Sequence, residues 1–304
     1  MQKPSYEQAE RQEKIRIERA LLRAMTIERS SIVWEREINK LEFSGGYKMI
    51  LKIANDNRSI IKKGVYLFSL VEYPKIQHWE WNNILAFISY EKACGDKLEI
   101  VCENDDILSA VQDAADKIDG KEYIPPIADA IEEFVYHATN VDAAQKILSS
   151  GKLLSATKAY GKTGEELAIE RKAYGWEDPA HFYEYVMFGW GTHLVGDYVV
   201  LSEDFPCEED FEKGNFDAGV RFYIRYKDII KHKGHAFDGY HPIKVKDEVS
   251  LFDYLFACIV PEQYKEQIEK HIPQDLIAKV HYLPQRGLSL QEWNNKVVEC
   301  IGML

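Results

Sequence analysis

Phe134-Val135-Tyr136-His137-Ala138-Thr139 is the segment that most restricts how this chain can fold. An apolar run ends abruptly in a histidine and a small hydroxyl residue. Val141, Ala144, Ile147 and Leu148 follow at helical spacing, and Ser149-Ser150-Gly151 ends the pattern. The spacing predicts a strand over 134–137, a helix over 140–149 and a stop at Gly151. Such a handover puts the imidazole at the mouth of a sheet, with the helix packed behind it. Polar groups at strand ends are presented outward by a rigid scaffold, and that is where a ligand can be held.

The chain divides just before this segment. Gly120 to Pro126 contains Pro125-Pro126, which stops both helix and sheet, so two domains are expected, 1–125 and 127–304. In the first, residues 7–40 carry Ile15, Leu21, Ala24, Ile27, Trp34 and Ile38 near helical spacing among mixed charges, the pattern of a packing or dimerising helix and a possible partner contact. Strands are expected over 47–53, 65–73 and 98–102, and a helix from Asp105-Asp106 through Ile118, its acids at the positive end of the helix dipole. Residues 79–90 are apolar and fit helix or strand equally.

In the second domain short strands alternate with long aromatic-rich connections. Besides 134–137, strands are expected over 197–202, 219–226, 248–252, 255–260 and 279–283, and further helices over 163–173, 262–270 and 290–300. Strand and helix do not alternate regularly, which disfavours a doubly wound sheet. The expected class is α+β: a split antiparallel sheet in the C-terminal domain, preceded by a smaller α+β unit.

Charge and cysteine usage narrow the partners. Residues 1–130 sum to −3 and residues 131–304 to −9. An acidic second domain argues against non-specific grip on a phosphate backbone, though not against a small nucleotide held by a few side chains. The five cysteines are scattered and never spaced as CxxC, and Cys258 lies inside the apolar run 255–260, so free thiols in a reducing cytoplasm are expected. No segment is apolar for the roughly 18 residues a membrane span needs.

Four features of the second domain can carry chemistry. His137 is one, although a histidine ending a strand is more often a structural hydrogen-bonder. The second is Gly189-Trp190-Gly191-Thr192-His193, where two glycines permit close backbone approach to a ligand and the aromatic can stack; a tight hairpin is the plain reading. The third is the loop from His232 to Pro242, holding His235, Phe237, Asp238 and Tyr240. Its spacing matches no standard metal site, and a substrate-facing loop or a solvated loop remain open. The fourth is Glu248, which opens the strand after that loop.

Taken in order, these features resemble the ADP-ribosyltransferase superfamily, in the branch of the poly(ADP-ribose) polymerases and diphtheria toxin, and are similar to DarT-like toxins. Tyr136-His137-Ala138-Thr139 resembles the branch's opening strand, and Ile147-Leu148-Ser149-Ser150-Gly151 the helix that comes after it. Phe188-Gly189-Trp190-Gly191-Thr192-His193 resembles its Phe-Gly-x-Gly-x-Tyr element, with His193 standing where the branch has tyrosine. Glu248 falls where the branch places a late glutamate. The resemblance covers about 131–283 and leaves the first 125 residues unexplained.

The resemblance implies NAD as substrate, nicotinamide as leaving group and a protein or nucleic-acid acceptor for ADP-ribose. It implies Glu248 and His137 as catalytic residues, and His137, Ala138, Thr139, Gly151, Tyr160, Gly191 and His193 around NAD. Tyr160 or Tyr198 would supply the ring stacking missing at His193. The loop of His235, Phe237, Asp238 and Tyr240 would choose the acceptor. Breaking the nicotinamide–ribose bond builds oxocarbenium-like charge on the sugar, which a carboxylate such as Glu248 can offset. An RNA 2′-phosphotransferase-like enzyme and a catalytically silent NAD or ADP-ribose binding module are the rival expectations.

Overall fold

The computed structural model describes residues 48–120 and 132–304, apart from 57–58, 63, 171–178, 195, 198–199 and 201–207. The helix expected over 7–40, the Pro125-Pro126 linker and Tyr198 lie outside the described residues.

The N-terminal unit is a four-stranded sheet ordered β2-β3-β1-β4, with β1 Lys48–Ala54, β2 Ile60–Lys62, β3 Val65–Ser69 and β4 Lys97–Cys102. β1 runs parallel to both β3 and β4, and only β2 is antiparallel. The unit is therefore more α/β than α+β, because the chain crosses from β3 to β4 through a helix, as a parallel arrangement requires. That helix, α1 (His78–Cys94), settles the ambiguous 79–90 stretch. Its start is fixed by Glu80, fully buried, whose carboxylate accepts from the Val71 and Gln77 amides at 2.7 and 2.8 Å. It buries Ile84, Phe87 and Ile88 against Leu51, Ile53 and Phe68, and ends at Gly95 in the left-handed conformation. The second helix, α2 (Asp105–Lys117), is capped by Asn104 and buries Ile107, Val111 and Ala115, one residue per turn.

The large sheet has seven strands in the order β13-β12-β8-β5-β7-β10-β9. They are β5 Phe134–Thr139, β7 Tyr185–Trp190, β8 Val220–Arg225, β9 His235–Ala236, β10 Ile243–Lys246, β12 Leu255–Pro261 and β13 Val280–Leu283. All neighbours are antiparallel except β12 and β13, which are parallel, so the sheet is mixed rather than wholly antiparallel. A two-stranded ribbon, β6 Lys152–Leu154 with β11 Glu248–Ser250, packs beside it.

Alternation along β5 gives the sheet two buried faces. Val135, with Phe188, Phe222, Ile224 and Val260, packs under α3 (Val141–Ser150) through Ala144 and Leu148, and under the ribbon through Leu153 and Val249. Tyr136, with Tyr223, Ala257 and Ile259, faces the last helix, α4 (Leu290–Met303). That helix starts in a capping box of Ser289 and Glu292 and buries Leu290, Trp293, Val297 and Ile301. Full burial of each such side chain contributes about 1.5–3 kcal/mol.

The two sheets share a wall. Phe182 joins the N-terminal core, and Tyr185, Met187, Ala236 and Tyr240 pack against it. The Tyr66 hydroxyl donates to the Gly239 carbonyl at 3.1 Å, and Gly239 presses on the backbone of α1.

Several expected elements differ. The 163–173 helix spans Gly164–Glu170 among the described residues, 262–270 is broken into short turns, and 248–252 is a three-residue strand followed by a helical turn, Leu251–Tyr254. The strand expected over 197–202 is not formed at its described residues, since Asp197 and Val200 are helical. β7 and β10 are strands beyond those expected from the sequence pattern. Among the described residues, no helix is long and apolar enough to cross a membrane.

Candidate functional site

The large sheet opens beside His137. β5 pairs with β8 along its whole length, from Phe134↔Arg225 to Thr139↔Val220, but meets β7 only at Val135↔Trp190 and Tyr136↔Gly189. From Phe188 back to Tyr185, β7 pairs instead with β10. β7 thus gives its end to one half of the sheet and its beginning to the other, and the two halves part where His137 stands.

The imidazole bridges that parting. Its Nδ1 lies 3.0 Å from the Met187 carbonyl, and its ring meets the edge of Phe188. A carbonyl can only accept, so Nδ1 carries the proton and Nε2 keeps its lone pair. Burial lowers the imidazole pKa, and the Met187 hydrogen bond only partly offsets this, so the ring is neutral near pH 7.

Behind His137, on the other face, a buried polar network fixes β5. Asp197 and Arg221 are both fully buried and pair fork to fork, Nε–Oδ1 at 3.0 Å and Nη2–Oδ2 at 2.8 Å. Arg221 also donates to Asn294 of α4 at 2.8 Å and lies over the Tyr136 ring at 5.0 Å. The Tyr136 hydroxyl lies 2.8 Å from the His193 carbonyl and 3.0 Å from Asp197, and accepts from the Gly196 amide. One charged pair therefore ties β5, β8, the helical residues Gly196 and Asp197 and α4 together.

Glu248 reaches the same end of the sheet by a sharp backbone turn. Asp247, at φ 66°, is the one non-glycine with positive φ among the described residues. Its amide donates to Glu184 just before β7, and its carbonyl accepts from Ser155. The turn lifts the chain from β10 into the ribbon, where Glu248 stands opposite Leu154. The Glu248 carboxylate is about half exposed and paired with Lys152 at 2.7 Å. His137 lies on the same face of the sheet as this ribbon, by alternation with Val135. Its imidazole is bonded to Met187 and the Glu248 carboxylate to Lys152, so the two groups have different partners.

Gly151 stops α3 at φ 68°, but its backbone is already engaged: the amide donates to Leu148 and the carbonyl accepts from Leu251. The Phe252 ring covers it so closely that a Cβ would fall 2.2 Å from Cε2. Thr139 is buried, and Ala138 turns away from His137 toward the α4 face. Tyr160 is half exposed and ends the short helix Ala156–Tyr160.

The other expected site residues are placed elsewhere. Gly191 sits at the far end of β7, its amide bonded to Phe134 at the start of β5 and its carbonyl accepting from Tyr223. His193 faces Glu132 at 3.6 Å, and Glu132 also holds the Thr192 amide and hydroxyl. Trp190 packs on Tyr226 in the core. Gly191 to His193 is thus a pinned turn at the opposite end of the sheet from Glu248, not gathered with His137, while Gly189 and Trp190 close β7 against Tyr136 and Val135.

The His232-to-Pro242 loop is neither open nor simply solvated. Asp238 is fully buried, its carboxylate 2.8 Å from the equally buried Lys244 ammonium and bonded to the Tyr240 and His241 amides and to His241 Nδ1. Burial alone would raise the Asp238 pKa, but Lys244 and His241 outweigh it and hold the carboxyl far below its usual range. Tyr240 meets Tyr66 edge-on at 5.3 Å. His235 pairs with Val245 at the sheet edge and holds the His232 carbonyl at 2.6 Å, and Phe237 is part-buried beside it. Asp238 and Tyr240 are occupied by the junction with the N-terminal unit rather than presented to a ligand.

Sequence reading missed a second polar cluster. Lys244 lies over the rings of Tyr90 and Phe182, at 3.7 and 3.9 Å, and beyond it stand Glu91, Asp96 and His181. These groups come from both units, so no local spacing could have signalled them. Burial lowers the His181 pKa, but Cys94 and Glu91 beside the ring push it up to about 9. Cys258 is buried and free, as its apolar run implied.

Comparison of the chain with known protein families, with curated proteins and with solved structures finds no match to any of them.

Proposed function

We propose that this protein transfers ADP-ribose from NAD to a protein or nucleic-acid acceptor, releasing nicotinamide. The observation that carries the reading is a neutral His137 whose Nδ1 is held by Met187 and whose Nε2 keeps its lone pair, set where the large sheet parts, with Glu248 on the same face and at the same end. Beside it stands the resemblance of the 134–151, 188–193 and 248 segments to the ADP-ribosyltransferases.

In this reading NAD lies across the opening. His137 Nε2 accepts a hydrogen bond from a ribose hydroxyl and fixes the bent dinucleotide. The nicotinamide departs with the electron pair of its bond to ribose C1′, positive charge develops on the sugar, and the acceptor's nucleophile then forms the new bond at C1′. Glu248, released from Lys152, accepts from the nicotinamide-ribose hydroxyl and offsets that charge. The exchange is inexpensive, because half-exposed ion pairs are worth at most about 1 kcal/mol. An interaction stronger in the transition state than on bound NAD acts on turnover rather than binding.

The test is nicotinamide release by the full chain, with Glu248→Gln and His137→Ala alongside. Glu248→Gln should slow release about 10²–10³-fold, the usual loss for one such electrostatic contact. Release by the variant as fast as by wild type overturns the role of Glu248. A second reading draws on the Lys152 ion pair, which occupies the carboxylate, and on the remote Gly191 and His193: NAD or ADP-ribose is bound without turnover. A rise in Tm with NAD, and no nicotinamide formed, would establish that reading instead.

A further inference from the structure

We propose that Glu91, Asp96 and His181 hold a divalent transition-metal ion, zinc by preference, at the junction between the two sheets. One donor atom from each residue lies within 4.8 Å of the other two. His181 Nε2 is 3.7 Å from Glu91 Oε1, and the opposite ring nitrogen, Nδ1, is 3.5 Å from Asp96 Oδ2, so an ion held by Nε2 beside Glu91 requires the Asp96 side chain to turn towards it. Donor atoms on a common tetrahedral zinc stand about 3.4 Å apart, so the Glu91–His181 pair needs to close by only a few tenths of an ångström.

The strongest pointer is Glu91 itself. Its side chain has no exposure, and neither carboxylate oxygen has a hydrogen-bond partner. His181 Nε2, aimed at it, is also buried without one. A buried carboxylate is ordinarily protonated, paired or bound to metal. Glu80, in the first turn of the same helix, shows the satisfied alternative, with two backbone amides donating to it.

Charge balance points the same way. The cluster holds three carboxylates, Glu91, Asp96 and Asp238, and one ammonium, Lys244, a formal balance of −2 before the histidines are counted, and a metal would take the place of the proton on the His181 nitrogen it binds. A divalent cation cancels that charge. The end of α1 favours a cation as well, because helix carbonyls converge there. Gly95, at φ 85°, folds the chain back so that the Asp96 amide donates to the Glu91 carbonyl at 3.1 Å, which brings the two acids to one side. His181 arrives from the other unit on the turn Ala180–Glu184. An imidazole with two carboxylates suits zinc and its neighbours better than magnesium or calcium, and the Cys94 thiol beside His181 could fill a fourth position.

The experiment is a zinc titration of chelator-treated full-length protein by calorimetry, with Co²⁺ absorption to report geometry and magnesium as the control. One equivalent of zinc should bind and raise Tm, and Co²⁺ should give tetrahedral visible bands. Asp96→Asn, a change just past the end of α1 at a side chain that is not fully buried, and His181→Gln should each weaken zinc binding by more than about 100-fold, beyond the loss typical of an outer-shell partner. If His181→Gln does not fold, Asp96→Asn decides alone. Failure of the wild type to bind zinc, equal binding of magnesium, or zinc affinity unchanged in the folded variants each overturns the proposal. Nicotinamide release has no part in these readouts.

Discussion

Gly239 is where the loop of the large sheet meets the backbone of α1, and replacing it with alanine measures how tightly the two units are joined. The backbone there has φ 70°, which costs a residue with a side chain about 1–2 kcal/mol. The added Cβ would sit 2.0 Å from the Asn83 carbonyl oxygen and 2.9 Å from the Phe87 amide nitrogen. Neither is a flexible side chain, so α1 must move, and overpacking of this kind costs about 1–3 kcal/mol. Movement also stretches the Tyr66–Gly239 hydrogen bond, worth about 1 kcal/mol. Together the loss is about 3–6 kcal/mol, or roughly 5–9 °C in Tm at the unfolding entropy usual for a chain of this size. Gly161 provides the control: its φ is 64°, yet nothing lies within 4 Å of the place a methyl group would take, so Gly161→Ala carries only the backbone cost. Thermal melts of both variants, followed by circular dichroism, give the comparison. A Gly239→Ala melt no lower than that of Gly161→Ala would refute the close docking of the two units.

The buried charges give two further outcomes. Arg221→Met strands Asp197 in the core and should cost about 3–5 kcal/mol in urea denaturation, and adding Asp197→Asn should recover part of it. Asp238 stabilises the fold with a sign fixed by its lowered pKa: the contribution is full above the unfolded value of about 3.9 and is lost as pH falls below it. The stability gap between wild type and Asp238→Asn should therefore narrow from pH 5 down to pH 2, and a gap that widens on acidification would contradict the Lys244 pairing.

The legible part of the sequence was local. The strand at 134, the helix to Ser150 and the turn at Gly151 come from apolar spacing and one glycine, and the helix expected over 290–300 is α4. Ile243-Lys244-Val245-Lys246 was hidden because its buried lysine reads as a surface residue. Asp238 and the rings of Tyr90, Phe182 and Tyr185 make its burial tolerable, and those partners are set by tertiary packing. Asp197 misled in the same way, since its counter-ion Arg221 lies 24 residues on. β7 escaped notice because Gly189 and Gly191 together resemble a hairpin, and a tight turn does come directly after the strand. For the site, histidine and glutamate were visible as residue types, but not that Gly191 and His193 belong to the far end of the sheet.

β7 has a mechanical consequence. It shares two rungs with β5 and four with β10, whereas β5 shares six with β8. Apart from the equally short pairing of the edge strand β9, the seam beside His137 is thus the least paired line in the large sheet. A wedge driven into it would swing β7, β9 and β10 as a flap, with the N-terminal unit carried along on Lys244 and Gly239.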